Sequence, residues 1–110
     1  MFGKNKAWKE VIGVTDRRKD RNFEELYRAL AAVTTPKEVE ELLDDICTIN
    51  EINAMQQRLT VAKLLDSGLP YNAIVEQTGV STATISRVNR CLVYGSGGYR
   101  AAIDKLEDSK

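Results

Sequence analysis

The sequence predicts an all-α protein of six helices, and three observations support that prediction. Apolar residues recur every three to four positions in successive segments, which places them on one face of a helix. Ser, Thr or Asn residues stand at the starts of these segments, where helices are capped. No segment alternates polar and apolar residues over the length of a strand. At 110 residues and 43% hydrophobic content, the chain fits one globular domain with a short extension.

The segment 1–21 is predicted to form a poorly ordered arm. Gly3 and Gly13 interrupt any helix in this region, and residues 16–21 form a charged run that is typical of a solvated segment. We therefore expect the folded domain to comprise residues 22–110.

The first two helices are predicted between Asn22 and Ile46. Asn22 can cap a helix with the apolar stripe Phe23, Leu26, Tyr27 and Leu30. Thr35 then caps a second helix, with Pro36 in its first turn and Glu38 completing a capping box. The stripe of this second helix is Val39, Leu42, Leu43 and Ile46.

The third helix is predicted to be the longest, spanning about residues 49–67. Thr48 and Glu51 form a second capping box at its start, and Gly68 ends it. Its apolar surface covers much of the circumference: Ile52, Met55, Leu59, Val61, Ala62, Leu64 and Leu65. This is more apolar surface than one small domain needs to bury, so a twofold homodimer is the simplest expectation. The alternative is a monomer with a large core.

Three shorter helices complete the prediction. Residues 71–78 form a helix of two turns, which Gly79 ends. Ser81 caps a helix that reaches about Val93. After a glycine-rich loop at residues 95–98, the stripe Tyr99, Ala102, Ile103 and Leu106 predicts the last helix.

Composition excludes several classes of enzyme. The chain has no histidine, so it cannot form a Ser-His-Asp triad, a Cys-His pair or an HExxH zinc site. Cys47 and Cys91 lie too far apart for a zinc knuckle or a CxxC motif, and we interpret them as buried apolar residues in a reducing compartment. The sequence thus predicts a protein that is not an enzyme and needs no cofactor or metal.

Hydropathy gives no sign of a membrane or export segment. A membrane span needs roughly 20 predominantly apolar residues in succession. No stretch of the chain approaches that length, and the segment 11–14 is too short for the apolar core of a signal peptide. We expect a cytoplasmic protein that has no membrane partner.

Residues 71–90 have the arrangement of a helix-turn-helix. A short helix, Gly79 at the turn and a capped second helix follow one another directly. Ile74 and Thr78 are expected to face inward from the first helix, and Val80 is expected to fill the turn. The inner stripe of the second helix is Ile85, Val88 and Leu92.

The opposite face of that second helix has the residue types that read DNA. Its members are Ala83, Ser86, Arg87 and Arg90, flanked by Thr82 and Asn89. Arginine can bind guanine through two hydrogen bonds, and small or hydroxylated residues can contact thymine, phosphate or other base edges. Small residues at the helix start, 81–84, also let its N-terminus approach a phosphate.

The charge distribution supports this interpretation despite a net charge of zero. Residues 29–66 have seven acidic and three basic side chains, whereas residues 79–103 have three arginines and no acid. The second segment therefore has a local positive field, which favours double-stranded DNA as the partner. The alternative is a helical hairpin with a solvated polar face, which would act as a protein-interaction or dimerisation module.

Several strings resemble the tryptophan-repressor superfamily. They include LLDDICT at 42–48 and GVSTATISR at 79–87. The run 82–92, together with Tyr94 and Gly95, is most similar to the YerC/YecD-type branch of Trp-repressor-related proteins. The resemblance covers about residues 23–106. It implies an intertwined homodimer that binds an operator and regulates transcription, most simply by repression. Asn72 is a further expected DNA contact, although it stands where the tryptophan binder has a basic residue.

The resemblance also implies an effector site, with changes that affect its ligand. Arg58 and Arg87 match the two arginines that enclose the indole, and backbone near Thr48 would hold the amino group. Val88 stands where the tryptophan binder has glycine, so its side chain is expected to fill the indole space. We expect no useful response to tryptophan, and the sequence leaves open whether another small molecule acts as corepressor.

Overall fold

The computed structural model describes residues 22–109, and these residues form six α-helices and no β-strand, as predicted. The helices are α1 Glu24–Ala32, α2 Pro36–Ile46, α3 Ile49–Asp66, α4 Tyr71–Thr78, α5 Thr82–Tyr94 and α6 Gly98–Asp108. The predicted arm, residues 1–21, lies outside the described residues. The chain divides after Leu42 into two compact units, which are described in turn.

In the first unit, α1 begins one residue later than its apolar stripe predicts. The Asn22 side-chain oxygen accepts a hydrogen bond from the Glu24 N–H at 3.1 Å, so Asn22 satisfies one N–H of the first turn. Phe23 therefore precedes the helix, and its ring lies edge-on to that of Tyr27. No residue of α1 is buried, so its apolar stripe is left exposed.

Glu38 caps α2 more extensively than the predicted capping box. Its carboxylate accepts hydrogen bonds from the N–H and hydroxyl groups of both Thr34 and Thr35, at 3.1 to 3.2 Å. The Thr35 hydroxyl in turn accepts from the Glu38 N–H at 3.1 Å. The N–H and hydroxyl groups of Thr34, followed by those of Thr35, lower the pKa of Glu38 because they stabilise its charged form.

The second unit is built on α3, against which α4, α5 and α6 pack. The predicted capping box is confirmed: the Thr48 N–H donates to the Glu51 carboxylate at 2.8 Å, and the Glu51 N–H donates to the Thr48 hydroxyl at 3.2 Å. The core comprises Val61, Ala62, Ile74, Val80, Ile85, Val88 and Ile103. Burying each Val or Ile side chain contributes about 1.5–3 kcal/mol. This core fixes α5 on α3.

The end of α3 is a Schellman motif. Gly68 has a φ of 94° and donates its N–H to the Leu65 carbonyl, and Leu69 donates to the Leu64 carbonyl. Asp66, at the last position of the helix, pairs with Arg100 of α6. These contacts end α3 where α4 must turn back toward it.

The turn between α4 and α5 is held by backbone conformation and by one hydroxyl. Gly79 has a φ of 73° and donates its N–H to the Val75 carbonyl at 2.7 Å. The Thr78 hydroxyl donates to the Ile74 carbonyl at 2.7 Å and accepts from the Val80 N–H at 3.1 Å. Val80 is buried, so it fills the turn as predicted.

Replacing Gly79 by Ala should destabilise the protein by about 1–2 kcal/mol, because a side chain is disfavoured in the left-handed conformation that Gly79 adopts. The measurement is urea unfolding followed by circular dichroism. Gly98→Ala is the matched control, since it lies in the first turn of α6 with open space around it. Equal loss of stability in the two variants would contradict this account of the turn.

Candidate nucleic-acid interface

The second helix of the helix-turn-helix, α5, begins with a cap made by Ser81. The Ser81 hydroxyl accepts from the Thr84 N–H at 3.2 Å and donates to the Thr84 hydroxyl at 3.1 Å. Both residues belong to the small residues 81–84 that were expected to contact DNA at the helix start, and the structure shows that each has the other as a partner. Their interaction holds the start of the helix, where the remaining N–H groups point outward.

The structure separates the two predicted faces of α5. Ile85 and Val88 are buried and Leu92 packs against the core, so the inner stripe is confirmed. The other face is exposed at Thr82, Ala83, Ser86, Arg87 and Arg90, with Asn89 half-buried beside it. Asn72 is exposed on α4. These residues lie on a surface that a partner can reach, and their contact with DNA stays a prediction.

Two arginines, rather than the three counted in the sequence, supply the positive charge of this surface. Arg100 is paired with Asp66, which raises the pKa of Arg100. Within residues 22–109, Arg87 and Arg90 form no ion pair. The unpaired positive charge within residues 79–103 therefore lies on α5 itself.

A pocket of about 220 Å³ lies beside α5. Its lining residues are Arg58, Thr84, Arg87, Val88, Cys91 and Tyr99. The structure thus brings together Arg58, Arg87 and Val88, three residues of the predicted effector site. Thr48 is not among the lining residues, and its side chain caps α3. The pocket adjoins the predicted DNA face because Arg87 belongs to both.

Tyr99 was not predicted to line this pocket, and Thr84 was expected only at the DNA-facing start of α5. The positions 84, 87, 88 and 91 follow the helical spacing of one edge, so the pattern held a signal for Thr84 and Cys91. Tyr99 comes from α6 and gave no such signal. Burial raises the pKa of Tyr99, and Cys91 adds to that rise, whereas Arg58 opposes it.

The interpretation of the cysteines as buried residues was wrong for Cys91. Cys91 is exposed, because it lies on the edge of α5 that borders the pocket and not on the inner stripe. Cys47 is half-buried. A second pocket, of about 510 Å³, is also lined by Cys91 and Tyr99, together with Leu59, Gly95, Ser96, Gly98 and Ala102. Both cysteines are unbridged thiols.

Two kinds of feature are absent from residues 22–109. No helix there combines the length and apolar character required to cross a bilayer. No group of three or more Cys, Asp or Glu side chains in that range is arranged to hold a metal ion.

The fold and this surface define an all-α protein with a helix-turn-helix. The family model of the Trp repressor protein matches residues 21–107. The chain belongs to the Trp repressor family.

Three similar proteins agree with that assignment. The chain is 40% identical over 95 residues to the uncharacterized protein YerC of Bacillus subtilis, covering 86% of this chain and 91% of YerC. The crystal structure of a candidate Trp repressor from Staphylococcus aureus has a TM-score of 0.77 and 38% identity, covering 84% of this chain and 95% of that one. A TrpR-like protein from Eubacterium eligens has a TM-score of 0.77 and 42% identity, covering 84% and 96%.

The Ser81 cap yields a stability prediction, because replacing Ser81 by Ala removes the N-cap of α5. The loss should be about 0.5–2 kcal/mol, the usual cost of removing a capping hydroxyl. Thr82→Ala is the control because Thr82 is the adjacent exposed hydroxyl and makes no cap. Thermal unfolding monitored by circular dichroism distinguishes them. An unchanged stability in Ser81→Ala would mean that the hydroxyl does not hold the helix start.

Proposed function

We propose that this protein is a sequence-specific DNA-binding regulator of transcription, acting as a repressor in the cytoplasm. The observation that carries the proposal is the outer face of α5. Arg87 and Arg90 are exposed there without an ion pair in the described residues, on a helix whose other face is buried. A recognition helix needs this combination, because its base contacts require accessible donors on a rigid support.

The chemistry of the face fits the major groove. Arginine binds the guanine edge through two hydrogen bonds, and Ala83 permits close approach to a thymine methyl group. The exposed start of α5 offers backbone N–H groups to a phosphate. Residues 79–103 contain no acid that would repel the DNA backbone.

We propose that the protein acts as a homodimer. In α1, α2 and α3, six large apolar side chains are between 37% and 67% exposed: Leu26, Tyr27, Leu30, Ile46, Ile49 and Met55. Apolar residues exposed in such number on a small chain indicate a covered interface. A twofold dimer would bury them and would present two recognition helices to two half-sites.

We propose that tryptophan is not its effector. Val88 is 3% exposed and belongs to the core, so its isopropyl group has little room to move out of the pocket. The pocket volume is about 220 Å³. Ordinary ligand pockets are larger, with volumes that begin at about 300 Å³.

Replacing Arg90 by Ala should weaken binding to the preferred duplex by about 1–3 kcal/mol and relax base preference at one position. Fluorescence anisotropy with specific and scrambled duplexes measures both effects. Lys37→Ala is the control, because it removes one positive charge from α2, where Lys37 pairs with Glu40.

The salt dependence of duplex binding distinguishes a DNA-binding regulator from a protein-interaction module. A DNA-binding protein releases counterions, so its affinity should fall steeply as salt rises. Weak binding that is equal for all duplexes and for the Arg90→Ala variant would contradict the proposed function and favour the protein-interaction module.

Replacing Leu30 by Gln should shift the protein from dimer to monomer, because a polar amide would enter the apolar interface. Analytical ultracentrifugation measures the change. Arg28→Gln is the control on the opposite side of the same helix. A wild-type protein that sediments as a monomer at all concentrations would overturn the dimer.

L-tryptophan should leave the melting temperature of the wild-type protein unchanged up to millimolar concentration. A true ligand of the folded state would raise it progressively by mass action. Differential scanning fluorimetry, with D-tryptophan as the stereochemical control, provides the measurement. A rise specific to the L-enantiomer would show that Val88 does not close the site.

A further inference from the structure

An ion pair joins the end of α3 to the start of α6. Asp66 is the last residue of α3 and Arg100 lies in the first turn of α6, and their side chains are 31% and 47% exposed. Arg87 and Arg90, the other arginines of residues 79–103, form no ion pair within residues 22–109. Arg100 is therefore the arginine of that segment whose charge is neutralised by a carboxylate.

Neither charge suits the helix that carries it. A helix has a partial negative charge at its C-terminus and a partial positive charge at its N-terminus. A carboxylate is thus unfavourable at the end of α3, and a guanidinium is unfavourable at the start of α6. An exposed ion pair also contributes little to the stability of a protein. The stability of these two helices therefore does not account for the choice of charges.

Asp66 is the main partner of Arg100. Its hydrogen bond with the guanidinium, followed by its negative charge, raises the pKa of Arg100. Asp104, on the same helix as Arg100, adds only a smaller charge interaction. A guanidinium that is bound to a carboxylate has fewer free donors for another anion. Asp66 therefore occupies a cation that solvent and a partner can reach.

The pair lies next to the helix-turn-helix. After the turn at residues 67–70, α3 leads directly into α4, the first helix of that unit. In helix-turn-helix proteins the first helix crosses the DNA backbone. Asn72, in the first turn of α4, is exposed and is a predicted DNA contact. Arg100 is thus held at the end of α3 that adjoins the helix expected to cross the phosphates.

We propose that Asp66 is a specificity-determining residue, which withholds Arg100 from the phosphates of double-stranded DNA and so keeps non-specific affinity low. The proposal rests on the proposed function, because it requires DNA to approach α4 and α5. Phosphate contacts carry no sequence information and strengthen binding to every duplex alike. With Arg100 withheld, discrimination depends more strongly on the base contacts of α5.

The test compares Asp66→Asn with Asp104→Asn in the full-length protein. Both variants remove one negative charge, but only the first removes the carboxylate that is hydrogen-bonded to Arg100. Asp66→Asn should bind a scrambled duplex about two- to fivefold more tightly than Asp104→Asn, the size of one exposed ion pair. Its slope of log K against log salt should be steeper by about 0.9, for one added phosphate contact. Fluorescence anisotropy measures both quantities.

Two further variants show whether Arg100 supplies the gain. Asp66→Asn combined with Arg100→Gln should lose it, and Asp66→Glu, which keeps a carboxylate, should bind as the wild type does. Circular dichroism verifies that each variant is folded. Damage to the fold would weaken binding, so it cannot imitate the predicted increase in affinity.

The proposal is overturned if Asp66→Asn and Asp104→Asn bind the scrambled duplex with equal affinity and equal salt slope, or if the double variant keeps the gain. A wild type that prefers a specific duplex over the scrambled one would then leave the proposed function standing. A gain that depends on Arg100, in a protein without sequence preference, would refute the proposed function and leave the withholding of Arg100 standing. Absence of duplex binding by the wild type and by Asp66→Asn would overturn both.

Discussion

The core between α3, α4 and α5 is the constraint on which the rest of the structure depends. Ile74, Val80, Ile85 and Val88 are buried together against α3, and they fix which side of α5 faces outward. Because about 3.6 residues make one turn, burying Ile85 and Val88 directs Arg87 and Arg90 away from the core. The exposure of the polar face of α5 is thus a consequence of packing, because the opposite, apolar face of the same helix is buried in the core.

The neutral net charge of the chain conceals an uneven distribution. The acidic residues are concentrated between positions 29 and 66, whereas the segment from 79 to 103 has none. Arg100 is paired with Asp66, so within residues 79–103 the unpaired positive charge lies on α5, at Arg87 and Arg90. With few charges available, modest non-specific affinity is expected, and base contacts would have to supply much of the discrimination.

Local signals in the sequence were sufficient to predict the positions of the helices. Capping boxes at Thr35 and Thr48, the stop at Gly68 and the apolar spacing of α4 and α5 depend on neighbouring residues, and the structure reproduces them closely. The pocket was only partly predictable. Tyr99 and the Asp66–Arg100 pair join residues on different helices, and the pair spans 34 positions of the chain. No periodicity encodes such contacts, because they arise from the way the helices pack.

The most direct test of the central claim is selection of binding sites from random-sequence duplexes with the purified full-length protein. A dimer with two such helices should enrich a motif of twofold symmetry, with half-sites about one helical turn apart, or roughly 10 base pairs. That result would connect the arginine face, the dimer and the helix-turn-helix in a single measurement. Recovery of no enriched motif at low salt would contradict sequence-specific recognition by α5.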